Sequence, residues 1–568
     1  MNARTGRWTV RLGAPLLGLL WFCAHRGLGR LPPGNLGWLM EGDWAQEMLG
    51  WFFFRHEPFR FPLGTIHGLA VPLGTTVGFA DANPWMCTLL RPFSTLMPLD
   101  FQFNGAWLLL CHAMQAVMGA KILQALGARR RGQLLGAALF LTAPILQSRL
   151  GHLNMCAHFL LLGAMLLHLS PRLEGRAAWR RLGVGLGLVA WACGTHPYVG
   201  VMVTAVTLAF AVRLLVVDRA FPKLGRAAWA VVPLAPLGVA LAVLVLFGYV
   251  GGGIPPQGAG FGDISADLLT LVNPTRSRLF PSLSLPRPKD EGYGYLGLGV
   301  LLLGGLALGL WVRRRGRRAG FALVPLYGVV ALCALFSLAD SWTFAGHEVL
   351  GLQRVYDPIR PLVEPFRASG RFIWPLHYLL VISAAGIVVR AFAVRPAWAE
   401  GALALAVALQ LADLNYEFSF EAPRTYDFRL TDSAWDLTRG HYAHLELAPP
   451  ILHDGAGHGC GQLFPEELYE RFGYLAYRLG LTSNSMYLAR VEGPKALAAC
   501  AAQDEVFSRG APDPQTVYVV HPQWRARVLK PGSAFACGPV ERMAVCVAAG
   551  NRDAFALELA RRMGRAIR

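Results

Sequence analysis

Two carboxylates follow the first hydrophobic segment of the chain, at Glu41 and Asp43. The apolar stretch 12–24 lies before them, and three arginines precede that stretch. An acidic pair beside a membrane surface costs electrostatic energy, so it favours a functional explanation. Attack of a hydroxyl on an electrophilic carbon needs a carboxylate within hydrogen-bond reach of that hydroxyl. The sequence therefore predicts Asp43 as a catalytic base, with Glu41 as a second catalytic acid.

Each of the acids in this region also has a simpler interpretation. Asp43 could cap the N-terminus of a helix, with Gln46 at the third helical position. Asp81 lies in a turn-forming stretch, 78–85, where Asp commonly forms an Asx-turn. Alternatively, Asp43 and Asp81 together hold a divalent cation, Mg²⁺ or Mn²⁺, through their oxygen atoms. The spacing of the two residues leaves both interpretations open.

Basic and aromatic side chains gather between later hydrophobic segments. Arg149 and His152 lie in one connection, and His196 and Tyr198 lie in another. If both connections face the same side of a membrane, these residues form a pocket for a phosphate or a sugar. The alternative is that the histidines are ordinary residues of the membrane interface.

The sequence Phe-Arg-Ala-Ser-Gly-Arg-Phe at 366–372 is the most specific basic element. Arg367 and Arg371 are four residues apart, which predicts that they share one helix face. Two guanidinium groups could hold the phosphate of a lipid-linked donor and stabilise it as a leaving group. The alternative role is anchoring to lipid headgroups.

The composition predicts an α-helical polytopic membrane protein. Of 568 residues, 54% are hydrophobic and 15% are charged, whereas soluble domains have about 25% charged residues. Several uncharged runs approach or exceed the roughly 20 residues that cross a hydrocarbon core. The predicted spans are eleven in number: 12–28, 102–125, 134–148, 155–169, 182–195, 199–216, 227–250, 295–312, 320–339, 372–390 and 398–414.

The net charge is +18, and the positions of the basic residues indicate the topology of the chain in the membrane. Basic residues concentrate in short connections such as 129–131, 172–181 and 313–318, which alternate with longer connections. This pattern follows the positive-inside rule and places the N-terminus in the cytoplasm. We therefore expect a multi-pass protein of the cytoplasmic (inner) membrane. The distribution argues against nucleic-acid binding, because no basic and aromatic recognition module is present.

Two regions are predicted outside the cytoplasm. The long first outer loop, 29–101, contains an aromatic segment that we interpret as an amphipathic helix in the membrane interface. The chain then divides into a transmembrane module, 1–414, and a soluble α/β domain, 415–568, with a strand at 516–520 and helices near 464–480 and 553–567. Four of the ten cysteines fall in this domain and allow two disulfides, with three pairings open: Cys460, Cys500, Cys537 and Cys546.

These motifs together resemble the C-type (GT-C) superfamily of polytopic glycosyltransferases, over residues 35–415. The similarity is closest to an uncharacterised bacterial branch with corresponding motifs, which stand here as Gly42-Asp43-Trp44-Ala45-Gln46, Gly151-His152, His196-Pro197-Tyr198 and Phe366–Phe372. The resemblance implies a GT-C-like fold, a polyprenyl-phosphate sugar donor and a product formed outside the cytoplasm. It also implies that the acidic motif Glu41-x-Asp43 carries catalysis.

We therefore expect an inner-membrane glycosyltransferase whose acceptor is an envelope glycan, a lipid or a protein. Asp81, His152, His196, Tyr198, Arg149, Arg367 and Arg371 are the expected substrate-binding residues. The alternative is a non-catalytic exporter or assembly component for envelope polysaccharide. A transport path places polar residues within the spans, whereas here they gather at the outer ends, which favours the enzyme.

Overall fold

The structure is a computed structural model, and it describes residues 3–254, 260–283, 290–313, 321–416, 425–453, 459–460, 463–465, 467–530 and 532–566. The α-helices within these residues are α1 (Ala3–Arg26), α2 (Gly42–Phe54), α3 (Pro84–Leu90), α4 (Asn104–Ala125), α5 (Arg130–Leu141), α6 (Pro144–Gln147), α7 (His158–His168), α8 (Gly175–Cys193), α9 (Pro197–Val216), α10 (Ala228–Leu246), α11 (Leu298–Arg313), α12 (Val324–Ser337), α13 (Gln353–Tyr356), α14 (Arg360–Val363), α15 (Trp374–Ala391), α16 (Pro396–Asp413), α17 (Glu467–Leu479), α18 (Gly493–Arg509), α19 (Arg525–Val528) and α20 (Ala554–Ala566).

The strands in the same residues are short. They are β1 (Thr65–Ile66), β2 (Thr75–Thr76), β3 (Ser341–Phe344), β4 (His347–Gly351), β5 (His444–Ala448), β6 (Leu452–His453), β7 (Gly459–Cys460), β8 (Thr482–Ser483), β9 (Met486–Tyr487), β10 (Thr516–Val520), β11 (Phe535–Val540) and β12 (Met543–Ala548). The chain is therefore mainly helical with a C-terminal α/β sheet, as the sequence predicts.

The chain divides into two compact units. A helical unit comprises residues 1–32, 103–244 and 257–423, and a mixed unit comprises residues 33–102, 245–256 and 424–568. This division differs from the predicted boundary at 414/415, because most of the first outer loop belongs with the C-terminal residues.

The helices of the helical unit coincide with the predicted spans. Each of the eleven hydrophobic segments contains a helix, although α5 ends at Leu141, where the prediction runs to 148. Four segments in the described part of the chain are long and apolar enough to cross a membrane: Asn104–Ala125, Pro197–Val216, Gly225–Leu246 and Ser369–Ala391. Most of the basic connection at 313–318 lies outside the described residues.

Small residues allow the helices of this unit to approach closely. Helices α1, α4 and α5 pack around a core that contains Ala14, Ala116, Ala120, Ala137 and Leu141. Helix α11 packs against α15 and α16. A Cβ atom on Gly299 of α11 would lie 1.9 Å from the carbonyl oxygen of Ala406 in α16, so only glycine fits there. The carboxylate of Asp413 accepts hydrogen bonds from Leu298 N at 2.8 Å and from Tyr295 Oη at 2.9 Å, which fixes the start of α11.

The mixed unit is built on a sheet whose described strands have the order β11-β12-β10-β5-β8. Strand β10 pairs parallel with β5 and antiparallel with β12. The predicted strand at 516–520 is confirmed, and all five of its residues are buried, since it is central in the sheet. The predicted helices near 464–480 and 553–567 correspond to α17 and α20.

Main-chain hydrogen bonds join the first outer loop to this sheet. Ser483 N of β8 donates to Gly68 O at 2.9 Å, and Val71 N donates to Ser483 O at 3.0 Å. Farther along, Ala489 N donates to Phe79 O at 2.9 Å. Such paired backbone groups make residues 68–71 part of the sheet edge. This pairing is why the predicted boundary and the observed units differ.

The prediction of an amphipathic interfacial helix in this loop is wrong. Helix α2 is buried at every residue from Ala45 to Phe54. Phe52 stacks on Tyr477 of α17 with ring centroids 4.5 Å apart. A helix with apolar residues on all sides is a core helix, and this one packs into the mixed unit.

Both predicted disulfides are present, and the structure selects one of the three pairings. Cys460 bonds to Cys500, and Cys537 bonds to Cys546. The second bridge joins directly opposed residues of β11 and β12. Four cysteines of the C-terminal region are therefore in disulfides, whereas the other six form no disulfide.

Candidate functional site

Two arginines surround one carboxylate in the helical unit. Arg149 Nη1 donates a hydrogen bond to Oε2 of Glu291, and Arg371 Nε donates to the same oxygen at 2.7 Å. His152 Nε2 lies 3.7 Å from the other carboxylate oxygen. We call these four residues the arginine cluster. It brings together three residues that the sequence predicts as binding residues and one that it does not.

Short irregular segments between helices position the cluster. Arg149 and His152 lie in the turn after α6, and Glu291 lies in a 3₁₀ helix before α11. Arg371 lies in a 3₁₀ helix, Ser369–Ile373, which leads into α15. The cluster thus stands where three helical segments begin or end, and its Arg371 is the third residue of the apolar segment Ser369–Ala391.

Two glycines allow the carboxylate and its arginine to meet. A Cβ atom on Gly370 would lie 2.5 Å from the Cα atom of Gly292, so the two chain segments touch through their backbones. Gly292 follows Glu291, and Gly370 precedes Arg371. The glycine in the Phe-Arg-x-Ser-Gly-Arg-Phe motif therefore sets the distance between Glu291 and Arg371.

Aromatic rings cover the faces of both guanidinium groups. Arg371 Cζ lies 4.7 Å from the ring centroid of Tyr198, and Arg149 Cζ lies 5.8 Å from that of Trp374. Tyr198 Oη accepts a hydrogen bond from Ala368 N at 2.9 Å, which fixes the ring beside the motif. Cation–π contact and planar geometry hold the guanidinium groups in one orientation.

Helix α9 directs its positive end toward this region. Tyr198 is the second residue of α9, and His196 precedes the helix as its N-cap. His196 Nδ1 accepts a hydrogen bond from Tyr198 N at 3.3 Å. The predicted residue His196 therefore shapes the start of the helix that carries Tyr198. The partial positive charge of that helix end adds to the two arginines.

Burial and the neighbouring positive charges shift the pKa of the Glu291 carboxyl group in opposite directions. Burial raises the pKa of Glu291, but Arg371, His152 and Arg149 together hold its pKa far below its usual value. Burial also lowers the pKa of the Arg149 guanidinium, although Glu291 opposes that shift. Arg149 and Arg371 are 5% and 8% exposed, and the Glu291 side chain is 24% exposed. The cluster thus contains two buried, charged arginines and one carboxylate, Glu291, which is partly exposed to solvent.

Arg367 does not share a continuous helix with Arg371, so that prediction is wrong. Ala368 between them has φ −86° and ψ 57°, which is not helical. Arg367 ends one 3₁₀ segment, Glu364–Phe366, and Arg371 belongs to the next. Side chains four residues apart share a face only along a regular helix. Because the helix is interrupted at Ala368, the side chains of Arg367 and Arg371 belong to different segments.

The predicted catalytic acids lie in the mixed unit. The N-cap of α2 is Glu41, and Asp43 lies in the first turn, so the prediction of Asp43 as N-cap is wrong. Gln46 Nε2 donates to Phe79 O at 3.3 Å instead of closing a capping box. A carboxylate in the first turn stabilises the helix through its dipole.

Asp81 lies in a tight turn of the mixed unit. Its φ is +54°, and its amide donates to Gly78 O at 3.3 Å. Left-handed backbone at Asp fits the predicted turn. Among the described residues, no group of three or more His, Cys, Asp or Glu side chains could hold a metal ion.

Glu291 is the residue that sequence reasoning missed. It stands in the sequence Asp-Glu-Gly-Tyr-Gly-Tyr at 290–295, directly before a hydrophobic segment. Arg149 and Arg371 oppose the positive-inside trend and need a counter-ion if buried. That requirement is the signal that could have directed attention to an acid in a neighbouring outer connection.

Comparison with known proteins gives a family without an assigned function. A model of a domain of unknown function, DUF6311, matches residues 15–415, and the model of the DUF6311 C-terminal domain matches residues 434–548. No curated protein matches the chain.

Proposed function

The chain belongs to the DUF6311 family, and from the arginine cluster of its helical unit we propose that it is a membrane glycosyltransferase. Its donor is a sugar linked to polyprenyl phosphate, and its acceptor is an envelope glycan, a lipid or a protein. The observation that carries this proposal is the pair of buried arginines, Arg149 and Arg371, held on the single carboxylate of Glu291.

The carboxylate of Glu291 stands in for the oxygens of a phosphate. Arginine guanidinium groups match the geometry of carboxylates and phosphates equally well. Two arginines and one carboxylate leave a net positive charge, to which the N-terminal end of α9 adds. A phosphate that enters from the exposed side of Glu291 can replace this carboxylate as the partner of one arginine. The phosphate is then paired with a cation, so no unpaired charge is buried.

Glycosyl transfer uses such a site to stabilise the leaving group. The bond between the anomeric carbon and the phosphate oxygen breaks, and the electron pair leaves with the polyprenyl phosphate. The acceptor oxygen forms a new bond to the same carbon, and its proton passes to a carboxylate base, for which Asp43 is the candidate from sequence. Arg149 and Arg371 lower the energy of the leaving phosphate, because charge develops there in the transition state.

The helices support a membrane setting. Four long apolar helices could each cross a bilayer, and three shorter apolar helices lie in further predicted spans. The other four predicted spans contain α1, α5, α8 and α16. The two disulfides favour an oxidising compartment for the C-terminal region. We therefore propose a multi-pass, GT-C-like protein of the cytoplasmic membrane, with the sugar transferred on its outer side.

The experiment is turnover of defined donors by the purified protein in lipid nanodiscs. Synthetic polyprenyl-phosphate glucose, mannose and arabinose, each radiolabelled in the sugar, are incubated with an envelope extract as acceptor source. We expect one donor to lose its label to an acceptor. Arg371→Gln and Asp43→Asn should each lower the rate by about 100-fold or more, as expected for lost leaving-group stabilisation or a lost base.

The matched control is Arg360→Gln. Arg360 pairs with Asp340 and Asp357 in the same unit but lies outside the arginine cluster, so its removal should leave turnover unchanged. Absence of turnover with every donor, or full turnover in Arg371→Gln, would contradict the proposal. Export of intact lipid-linked sugar without transfer would favour the exporter instead.

A further inference from the structure

A cavity of about 790 Å³ lies in the helical unit, away from the arginine cluster. Three helices line it: α1 with side chains from residues 10–14, α4 with side chains from 117–124 and α5 with side chains from 130–133. Arg130 begins α5, whereas Arg149 of the arginine cluster follows the C-terminal end of that helix. The 12 residues of α5 span about 18 Å, so the cavity and the cluster lie at opposite ends of it.

Each of the three helices contributes one cationic side chain to the lining, namely Arg11, Lys121 and Arg130. Within the described part of the chain, none of these three side chains makes a hydrogen bond or an ion pair, and no carboxylate lines the cavity. Like charges around one concave surface repel each other. An anion in the cavity would relieve this repulsion, as the carboxylate of Glu291 does for the two arginines of the cluster.

The positions of two of these cations on their helices also favour an anion. Lys121 is the single Asp, Glu, Lys or Arg residue of the apolar segment Asn104–Ala125, and it lies about 6 Å before the end of that segment. A lysine there can reach the membrane interface with its long side chain. Arg130 is the first residue of α5, whose first turn contains no acidic residue. A cation at this positive end of a helix is unfavourable unless an anion lies close to it.

The surroundings of the cations suit a phospholipid. Gln124 and Gln133 line the cavity with amide groups, which can bond to phosphate oxygens or to hydroxyl groups. On α1, which also lines the cavity, Leu12, Leu16 and Leu20 are 63%, 51% and 55% exposed. Leucines four residues apart share one helix face. An acyl chain can therefore lie along α1 while the polar headgroup occupies the cavity.

We propose that this cavity binds the headgroup of an anionic phospholipid through its phosphodiester group. Arg11, Lys121 and Arg130 contact the phosphate oxygens, and an acyl chain follows the apolar face of α1. Basic pockets between membrane helices suit such headgroups on the cytoplasmic side of a membrane, and the predicted topology places the connection 129–131 on that side. This site goes beyond glycosyl transfer, because it needs no lipid-linked sugar, and it rests only on the membrane setting of the proposed function.

The test is lipid binding to the purified full-length protein in detergent micelles, followed by native mass spectrometry. The probes are phosphatidylglycerol, phosphatidylcholine with the same acyl chains, and glycerol 3-phosphate as a soluble phosphate. We expect saturable binding of phosphatidylglycerol, at least about tenfold tighter than that of phosphatidylcholine, whose choline cation cancels the phosphate charge. Glycerol 3-phosphate should bind at least about tenfold more weakly than phosphatidylglycerol, because it lacks the acyl chains.

Lys121→Gln and Arg130→Gln should each weaken phosphatidylglycerol binding about fivefold, as expected for the loss of one cation near a lipid phosphate. Arg131→Gln is the matched control, because Arg131 follows Arg130 in α5 but does not line the cavity. Its variant should bind phosphatidylglycerol as the unchanged protein does. Lys121 is exposed, so Lys121→Gln should leave the melting temperature unchanged, and Arg11→Gln provides a further variant if Arg130→Gln does not fold.

Three outcomes would overturn the proposal. The first is equal affinity for phosphatidylglycerol and phosphatidylcholine. The second is unchanged binding in both Lys121→Gln and Arg130→Gln, or an equal loss in Arg131→Gln, which would assign the binding to general surface charge. The third is equal affinity for glycerol 3-phosphate and phosphatidylglycerol, which would assign the cavity to a soluble phosphate. Absence of donor turnover with retained phosphatidylglycerol binding would instead affect only the glycosyl-transfer proposal.

Discussion

The two ends of helix α9 each hold a buried arginine site, but the two sites are built differently. At the C-terminal end, Arg213 is 1% exposed and donates to the carbonyl oxygens of His168 at 2.5 Å, Ser170 at 2.8 Å and Pro171 at 3.2 Å. Its carboxylate partner, Asp218, lies 3.5 Å away. At the N-terminal end, Arg371 rests on Tyr198 and bonds to Glu291.

The difference separates a structural ion pair from an exchangeable one. Arg213 ties together the loop after α7 and the last turn of α9 through backbone carbonyls that cannot leave, and Asp218 is as buried as Arg213. Glu291 is a side chain with an exposed edge, so an anion from outside can compete with it. The helix dipole also differs in sign at the two ends, and it favours an incoming anion only beside Tyr198.

Removal of the structural arginine should have the largest effect on stability. Arg213→Met leaves the Asp218 carboxylate buried without its cation and three carbonyls without their donor. We expect a loss of about 3–5 kcal/mol in the free energy of unfolding. Thermal unfolding in nanodiscs, followed by tryptophan fluorescence, measures it. A melting temperature equal to that of the unchanged protein would mean that the two ends do not differ as described.

Removal of the exchangeable arginine should affect binding more than stability. Arg371→Gln leaves Glu291 paired with Arg149, so the fold keeps its ion pair. Loss of one charge-assisted bond to phosphate should weaken polyprenyl-phosphate binding about tenfold or more, which is at least about 1.4 kcal/mol. Binding is measured by quenching of intrinsic fluorescence. Unfolding comparable to that of Arg213→Met would contradict the comparison.

Removal of the internal anion should strengthen phosphate binding. Glu291→Gln frees the arginines from a competing carboxylate, and we expect about fivefold tighter binding of polyprenyl phosphate, or about 1 kcal/mol. The matched variant Asp218→Asn should not change this affinity. Weaker binding in Glu291→Gln would show that Glu291 does not compete with the ligand.

The same variant gives a pH test. Because the pKa of Glu291 is depressed in the folded protein, its stabilisation is complete above the usual value of 4.5 and is lost as pH falls toward the folded pKa. The stability difference between the unchanged protein and Glu291→Gln should therefore be constant from about pH 6 to 8 and shrink below about pH 4.5. A difference that changes between pH 6 and 8 would contradict this assignment.

Removal of the Tyr198 ring should have the smallest effect on phosphate binding. Tyr198→Leu removes the ring under Arg371, and a cation–π contact contributes from about 0.5 kcal/mol at exposed sites to about 2 kcal/mol at desolvated ones. Only part of this energy affects the ligand, because the ring orients the guanidinium group and does not contact the phosphate. We expect polyprenyl phosphate to bind about two- to fivefold more weakly. Tyr198→Phe keeps the ring and loses the hydroxyl that accepts from Ala368 N, so it should bind like the unchanged protein. Equal loss in both variants would assign the effect to the hydroxyl.

The sequence predicts the helices well because their hydrophobic runs are long. Each predicted span contains a helix, and Arg149, His152, Tyr198 and Arg371 do meet. The helices are predictable because periodic signals extend over about 15–20 residues. Conversely, the interruption at Ala368 depends on local backbone angles, which a four-residue spacing does not reveal.

Contacts between distant segments are the part that the sequence does not reveal. The pairing of residues 68–71 with Ser483 joins chain segments about 400 residues apart through backbone atoms, which carry no side-chain signature. The aromatic residues of α2 suit a membrane interface or a protein core equally well, and only the packing against α17 decides between them. Glu291 becomes recognisable once its two arginines are known to be buried.

The most direct measurement of the central claim is the affinity of polyprenyl phosphate relative to polyprenol, in the unchanged protein and in Arg371→Gln. We expect the unchanged protein to prefer the phosphate strongly, Arg371→Gln to lose most of that preference, and Arg360→Gln to keep it. Equal affinity for the phosphate and the alcohol in the unchanged protein would contradict the account.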